Sequence, residues 1–382
     1  MISQRVDSIT PSGSVMLAQK VIELRNQGRD IISLSVGEPD FKTPQEILNA
    51  TKKALDKGET RYSLVHGIPQ LREAITKKLW DENQLNVNPE QIVLSHGSKQ
   101  TLYNIFQTIL NPDDEVIIPV PYWVTFPESV KLAGGRPIFV DCPNLQLDPE
   151  LIEKAITSKT KAIIVNSPNN PSGAVFSPES LKKLSEIVVK NNLILISDEA
   201  YERFTYEDLP HLSPASISEE VFQRTLTVHS FSKTYCMTGF RLGYVAGPDW
   251  LIKPMIKLQS HLTGNNAPFA QFGALEALQM DPGFFQDMKK IFDQRRKMSF
   301  EQYKNIFELE MPQGAFYLFG KMTDDLIKRF GDDEKLAHHI LEKAGVALLP
   351  GNFFGKPLYL RLSFAASEQD LKEAARRIKE VL

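Results

Sequence analysis

The sequence predicts an α/β protein: a large domain on a mostly parallel seven-stranded sheet flanked by helices, with a smaller α+β domain beside it. Three observations lead to that expectation. Short apolar runs recur seven times between residues 91 and 246, with the length and composition of strands buried on both faces. Stretches with helical spacing separate them, and that alternation builds a layered α/β domain. Past about Pro282 the pattern gives way to a long charged helix and then mixed segments.

The first strand, 91–95, runs through His96-Gly97-Ser98-Lys99 into a helix over 100–110. Strands over 115–119 and 136–140 follow, then a helix near 149–156. The fourth strand is 161–165, with a helix over 178–191 behind it. The fifth, sixth and seventh strands are 193–197, 225–229 and 242–246. The charged helix covers 289–305, and a helix over 15–27 is expected to pack near the C-terminal part. The expected division is a large domain over 46–282 and a smaller one formed by 1–45 with 283–382.

Bulk properties exclude several classes of function. A chain of 382 residues, 42% hydrophobic and 24% charged, can bury a large core without disulfide staples. Its formal net charge of -3 lacks the basic surplus of a nucleic-acid binder. Cys142 and Cys236 form no C-x-x-C pair; they read as free thiols in a reducing compartment, and no metal site is expected. No apolar run approaches the ~18 residues of a membrane span. The N-terminus lacks a signal-peptide core, so a cytoplasmic location is expected.

In an open α/β sheet, ligands bind at the carboxyl ends of the strands, and there the unusual residues fall. The first strand ends in Gly97-Ser98-Lys99, the fourth in Asn166-Ser167-Pro168-Asn169-Asn170-Pro171-Ser172-Gly173, the fifth in Asp198-Glu199-Ala200-Tyr201 and the sixth in Ser230-Phe231-Ser232-Lys233. Gly239-Phe240-Arg241 precedes the seventh. Together they offer polar side chains to one crevice. Such a set suits a phosphorylated pyridine aldehyde. A lysine amine condenses with a carbonyl, an aspartate keeps a pyridine nitrogen protonated so that the ring is an electron sink, and a Gly-Ser turn at a helix N-terminus cradles phosphate.

Through those residues the chain resembles a class I aminotransferase of pyridoxal-phosphate (PLP) fold type I, in the bacterial aspartate aminotransferase-like branch. The resemblance runs from Arg5 through Ser35-Val36-Gly37-Glu38-Pro39-Asp40-Phe41, Tyr62-Ser63-Leu64-Val65-His66-Gly67, Asn169-Asn170-Pro171-Ser172-Gly173 and Ser230-Phe231-Ser232-Lys233 to Tyr359-Leu360-Arg361-Leu362-Ser363. Each string alone is weak, but their joint occurrence in this order is specific. The resemblance implies that Lys233 forms the Schiff base with PLP and moves the substrate proton. It implies that Asp198 pairs with the ring nitrogen and that Asn170 and Tyr201 bond the phenolic oxygen. Gly97, Ser98, Ser230 and Arg241 would hold the phosphate, Tyr62 would reach the phosphate of the neighbouring subunit in a homodimer with shared sites, and Trp123 would stack on the ring.

Arg361 would take the α-carboxylate of the amino acid or 2-oxo acid, and the Gly37 backbone would approach it. An arginine between apolar neighbours is costly unless paired, which agrees with that role. Lys99 matches members of the branch that accept aspartate and would pair with a distal carboxylate; Asn170 and Trp123 would also meet substrate. One departure counts against prephenate in particular: many dicarboxylate- and prephenate-using relatives carry a lysine where Thr10 precedes Pro11-Ser12. Asn265 and Asn266 fall near the expected partner site without an assigned role. The expected reaction is ping-pong transamination from an L-amino acid, best aspartate, to 2-oxoglutarate. The alternatives are an aromatic or broad-specificity aminotransferase, a lyase or synthase of the same fold, and a PLP-binding regulatory module, which would usually bring a DNA-binding segment that is not expected here.

Overall fold

A computed structural model describes residues 2–382. The strands are β1 (Ile32–Ser33), β2 (Ile92–Ser95), β3 (Glu115–Val120), β4 (Arg136–Asp141), β5 (Thr160–Asn166), β6 (Ile194–Asp198) and β7 (Thr225–Ser230). They continue with β8 (Gly243–Ala246), β9 (Phe307–Glu308), β10 (Tyr317–Met322), β11 (Val346–Ala347), β12 (Leu349–Pro350) and β13 (Tyr359–Ser363). The predicted seven strands form one sheet in the order β2-β8-β7-β6-β5-β3-β4. All neighbours are parallel except β8, which is antiparallel to both β2 and β7.

Alternating side chains split this sheet between two helix layers. Ile164, Ile196 and Val228 pack on the helix Ser98–Ile109 through Leu102, Ile105 and Phe106. Ile163, Val165 and Leu195 face the other way, onto Leu181, Leu184 and Val188 of the helix Pro178–Lys190. Truncating a ring as enclosed as Phe106 to alanine would cost about 3–5 kcal/mol.

The C-terminal part carries a four-stranded sheet, β12-β13-β10-β9, covered by the helices Gly283–Tyr303 and Glu368–Val381. The N-terminal segment joins it because β1 pairs in parallel with β11. The cluster under this sheet also takes in Ala200, Tyr201 and Phe204 from the loop after β6, so the two sheets meet over that loop.

Several helices lacked a sequence expectation. In Pro69–Asn83 the inner face buries Arg72 and Lys78 among its leucines, which blurs the apolar stripe. Asp249–Leu262 carries Pro254 inside it, which reads as a break in sequence. Pro268–Gln279 is packed on both sides and so shows little periodicity. Other helices shift at their ends: the charged helix starts at Gly283 rather than 289, and the helix after β2 starts at Ser98 rather than 100. No helix among the described residues is long and apolar enough to cross a membrane.

Candidate active site

The five strand ends singled out from the sequence belong to five neighbouring strands, β2, β8, β7, β6 and β5. Because β8 runs against the others, its start lies on the side where they finish, and Arg241, just before it, joins their crevice. Register does the fine placement. Asn166 lies opposite Asp198 at the ends of β5 and β6, and Gly243 lies opposite both Ser95 and Ser230. A Cβ at Gly243 would come within 2.6 Å of the Ser98 backbone nitrogen, so glycine is what lets the Gly97-Ser98 turn close over the sheet.

A cavity of about 370 Å³ opens there, lined by Gly37, Ser98, Lys99, Trp123, Asn170, Asp198, Tyr201, Ser230, Lys233, Arg241 and Arg361. Lys233 sits in a short helix, Phe231–Thr234, capped by the Ser230 hydroxyl, which accepts from the Ser232 N–H at 3.1 Å. Its Nζ donates to the Gly37 carbonyl at 2.6 Å. Burial lowers its pKa to about 8, against the pull of Glu38, so a free amine is accessible near neutral pH. Burial likewise raises Asp198 to about 7, partly offset by the Ala200 N–H on Oδ1 at 3.2 Å. No salt bridge to a protein cation neutralises that carboxylate among the described residues, which is the environment a protonated ring nitrogen would complete.

The phosphate end fits as well. Gly97, at φ +78°, starts the helix Ser98–Ile109, whose first N–H groups have no intrahelical acceptor. A Cβ at Gly97 would lie 2.7 Å from Arg241 Nη2, so the missing side chain is what admits the guanidinium. Arg241 is tied by Nη1 to the Thr238 carbonyl at 2.8 Å. Backbone donors, two serine hydroxyls and a guanidinium around one hollow make an anion cradle. The residues present therefore fit PLP.

Arg361, from β13, is 4% exposed. Its Nη1 donates to Asn170 Oδ1 at 2.9 Å, its Nη2 to the Ser35 carbonyl, and its Nε finds no partner. Among the described residues no carboxylate pairs with it, and burial lowers its pKa. A buried cation held only by neutral acceptors keeps an uncompensated charge, which an anion entering the cavity would neutralise. Lys99 follows Ser98 on the first helical turn, with its Nζ 5.4 Å from the centroid of the Trp123 ring.

Not every expected residue reaches the cavity. Tyr62 is fully exposed and lies outside it. Thr10 is tied by its N–H to Glu128 at 2.9 Å, and Ser14, four residues on, lines the cavity instead. Asn265 bonds the Asn266 carbonyl, and the buried Asn266 amide has no partner.

Sequence reasoning missed four groups. Asn166 donates to the Asp198 carbonyl at 2.9 Å and accepts from the Asn170 N–H at 2.8 Å, a role its place in the quoted Asn166–Gly173 string could have revealed. Tyr317 gave no local signal. Glu199 and Glu202 enter a buried network with His211, His229, Asn83 and Lys78 behind Asp198, with Lys78 Nζ bonded to Glu202. Only their tertiary neighbours distinguish them.

Fold and site together define a transaminase that works with PLP. A profile of the family "Aminotransferase class I and II" matches residues 29–378. A probable aspartate/prephenate aminotransferase of Aquifex aeolicus (strain VF5) is 45% identical over 388 residues, covering 100% of this chain and 98% of its own. The aspartate aminotransferase of Bacillus subtilis (strain 168) is 39% identical over 384 residues, covering 99% and 98%. Among solved structures, the aspartate aminotransferase from Thermus thermophilus with maleate superposes with a TM-score of 0.95 at 40% identity, with 100% of both chains covered. The chain belongs to the class I and II aminotransferase family.

Proposed function

We propose that this enzyme moves the amino group of L-aspartate to 2-oxoglutarate in two half-reactions at the cavity below Arg361. The observation that carries the reading is one cavity holding an amine with a lowered pKa, a buried carboxylate and a buried guanidinium, neither of which forms a salt bridge among the described residues. When bound, PLP supplies a carbonyl for the amino group and a ring that delocalises the electron pair left on the substrate Cα. Lys233 Nζ would hold the cofactor between turnovers and, once free as an amine, would carry the proton from the substrate Cα to the former aldehyde carbon of PLP, across the nitrogen that joins them. Asp198 would keep the ring nitrogen protonated, Asn170 and Tyr201 would donate to the phenolic oxygen, Trp123 would cover the ring, and Gly97, Ser98, Ser230 and Arg241 would hold the phosphate.

Arg361 grips the α-carboxylate as a two-pronged donor, with Asn170 at its side and the Gly37 backbone leaving room. Lys99 takes the distal carboxylate; the Thermus thermophilus structure holds maleate, a dicarboxylate, which supports a substrate with a second carboxylate. The exposed Tyr62 supports a homodimer in which it reaches the partner's phosphate site. The pairing of β1 with β11 supports a small domain of 1–45 with 283–382 that closes on 46–282 and excludes water. The two buried free cysteines support a reducing, cytoplasmic setting.

A second reading, an aromatic or broad-specificity aminotransferase, is favoured by Val15, Ala18, Ile22 and Val36, which add apolar surface to the same cavity. A half-reaction screen separates the two: the visible absorbance of the lysine-bound cofactor is followed as aspartate, glutamate, phenylalanine, tyrosine, methionine or alanine is added. Slow reaction with both acidic donors sinks the aspartate reading. Full turnover by Lys233→Ala sinks the mechanism.

A further inference from the structure

We propose that Tyr317 is a positioning residue that links the substrate-carboxylate receptor to the hydroxyl serving the cofactor's ring oxygen; this rests on the roles proposed for Arg361 and Tyr201. Tyr317 opens β10 in the small sheet, whereas Tyr201 lies in the loop after β6 of the large one. Both are buried, and their hydroxyls are 2.7 Å apart. The Arg361 guanidinium lies over the Tyr317 ring, 4.4 Å from its centroid. Gly37 presses on the same hydroxyl: a Cβ there would fall 2.0 Å from it. One side chain therefore touches the cation for the carboxylate, the hydroxyl for the cofactor and the loop whose carbonyl holds Lys233.

Proton counting gives the link a direction. Each phenol has a single proton. When Tyr201 donates its own to the ring oxygen, the hydrogen bond between the two hydroxyls survives only if Tyr317 donates to Tyr201. A donor that itself accepts a hydrogen bond is a stronger donor, by about 10–30% per bond. Tyr317 thus strengthens the bond that Tyr201 makes, while its ring is the nearer of two that pack on the Arg361 guanidinium, the other being Phe354 at 5.1 Å. The charged groups facing Lys233 are Glu38, Arg361, Arg241 and Asp198; those facing Tyr201 are Arg361 and Asp198. All remain in place when Tyr317 is replaced.

The test compares Tyr317→Phe, Tyr317→Leu, Tyr201→Phe and the Tyr201→Phe/Tyr317→Phe double variant as holoenzymes. Three quantities are read: the pH midpoint of the lysine-bound cofactor's absorbance, the PLP dissociation constant, and KM against kcat for the amino acid. A weaker bond to the ring oxygen destabilises the unprotonated form, so Tyr201→Phe raises the midpoint. Tyr317→Phe raises it in the same direction by a smaller amount, and the double variant matches Tyr201→Phe alone because the two act through one bond. Tyr317→Phe keeps the ring and leaves KM within about twofold, whereas Tyr317→Leu uncovers Arg361 and raises KM by about tenfold.

Three results overturn the proposal: an unmoved midpoint in Tyr317→Phe where Tyr201→Phe moves it, additive shifts in the double variant, or a lower melting temperature with neither midpoint nor KM changed in both Tyr317 variants. If Tyr201→Phe itself leaves the midpoint unmoved, the assigned role of Tyr201 fails instead.

Discussion

Replacing Arg361 with methionine should separate stability from activity. In the cofactor-free protein the guanidinium is buried, bonded to Asn170 and the Ser35 carbonyl, and lacks a counter-ion. Removing it leaves those two acceptors dry, at about 1–3 kcal/mol each. It also relieves a desolvated cation whose burial costs several kcal/mol. The two terms nearly cancel, so the melting temperature should change by no more than a few degrees. Activity has no such cancellation. A substrate carboxylate loses two charge-assisted bonds worth about 1.5–3 kcal/mol each, together about 3–6 kcal/mol. At about 1.4 kcal/mol per decade, kcat/KM should fall by roughly 10² to 10⁴. Steady-state kinetics with aspartate and 2-oxoglutarate, run beside a thermal melt, read both. A kcat/KM within tenfold of the parent refutes the receptor role. A melting temperature lowered by more than about 10 °C makes Arg361 a structural strut.

Other outcomes follow from the same geometry. Lys99→Ala should lower kcat/KM for aspartate by about 10–100-fold, the worth of one charged pair, and leave phenylalanine within about threefold; equal losses on both donors would rule out distal-carboxylate recognition. Tyr62→Ala should weaken PLP binding to the dimer without shifting the melting temperature of the cofactor-free protein, because its side chain is fully exposed in the subunit; unchanged PLP affinity in a titration counts against the shared site. Asp198 titrates near 7 folded against 3.8 unfolded, so between those values the folded state binds more protons, and the cofactor-free protein should lose stability as pH rises through that window. Asp198→Asn removes that slope in a melt-versus-pH series. Lys233 has the opposite sign: at about 8 folded against 10.5 unfolded, the unfolded state binds more protons, so stability should rise with pH across that interval and Lys233→Met should flatten it.

The sequence by itself determined the sheet and most of the polar residues that line the cavity, because both are local signals. The runs at 161–165 and 193–197 are apolar on both faces, and only a doubly covered strand reads that way. Asp198, Lys233 and Asn170 stand within a few residues of such strand ends, where a ligand crevice opens. Helices with a contrasted outer face, such as Pro178–Lys190, were legible for the same reason, whereas Pro69–Asn83 hid its inward face behind Arg72 and Lys78.

Tertiary structure alone decided which groups face one another across the two sheets. Tyr317 is 116 residues from Tyr201, and Arg361 is 191 from Asn170; no periodicity reports a contact over such separations. The antiparallel run of β8, which brings Arg241 beside Gly97, is likewise a matter of pairing and not of composition. Burial, too, arises only on folding. It lowers Lys233 and raises Asp198, so the reactivity of that lysine belongs to the packed cavity and not to the Ser230-Phe231-Ser232-Lys233 string.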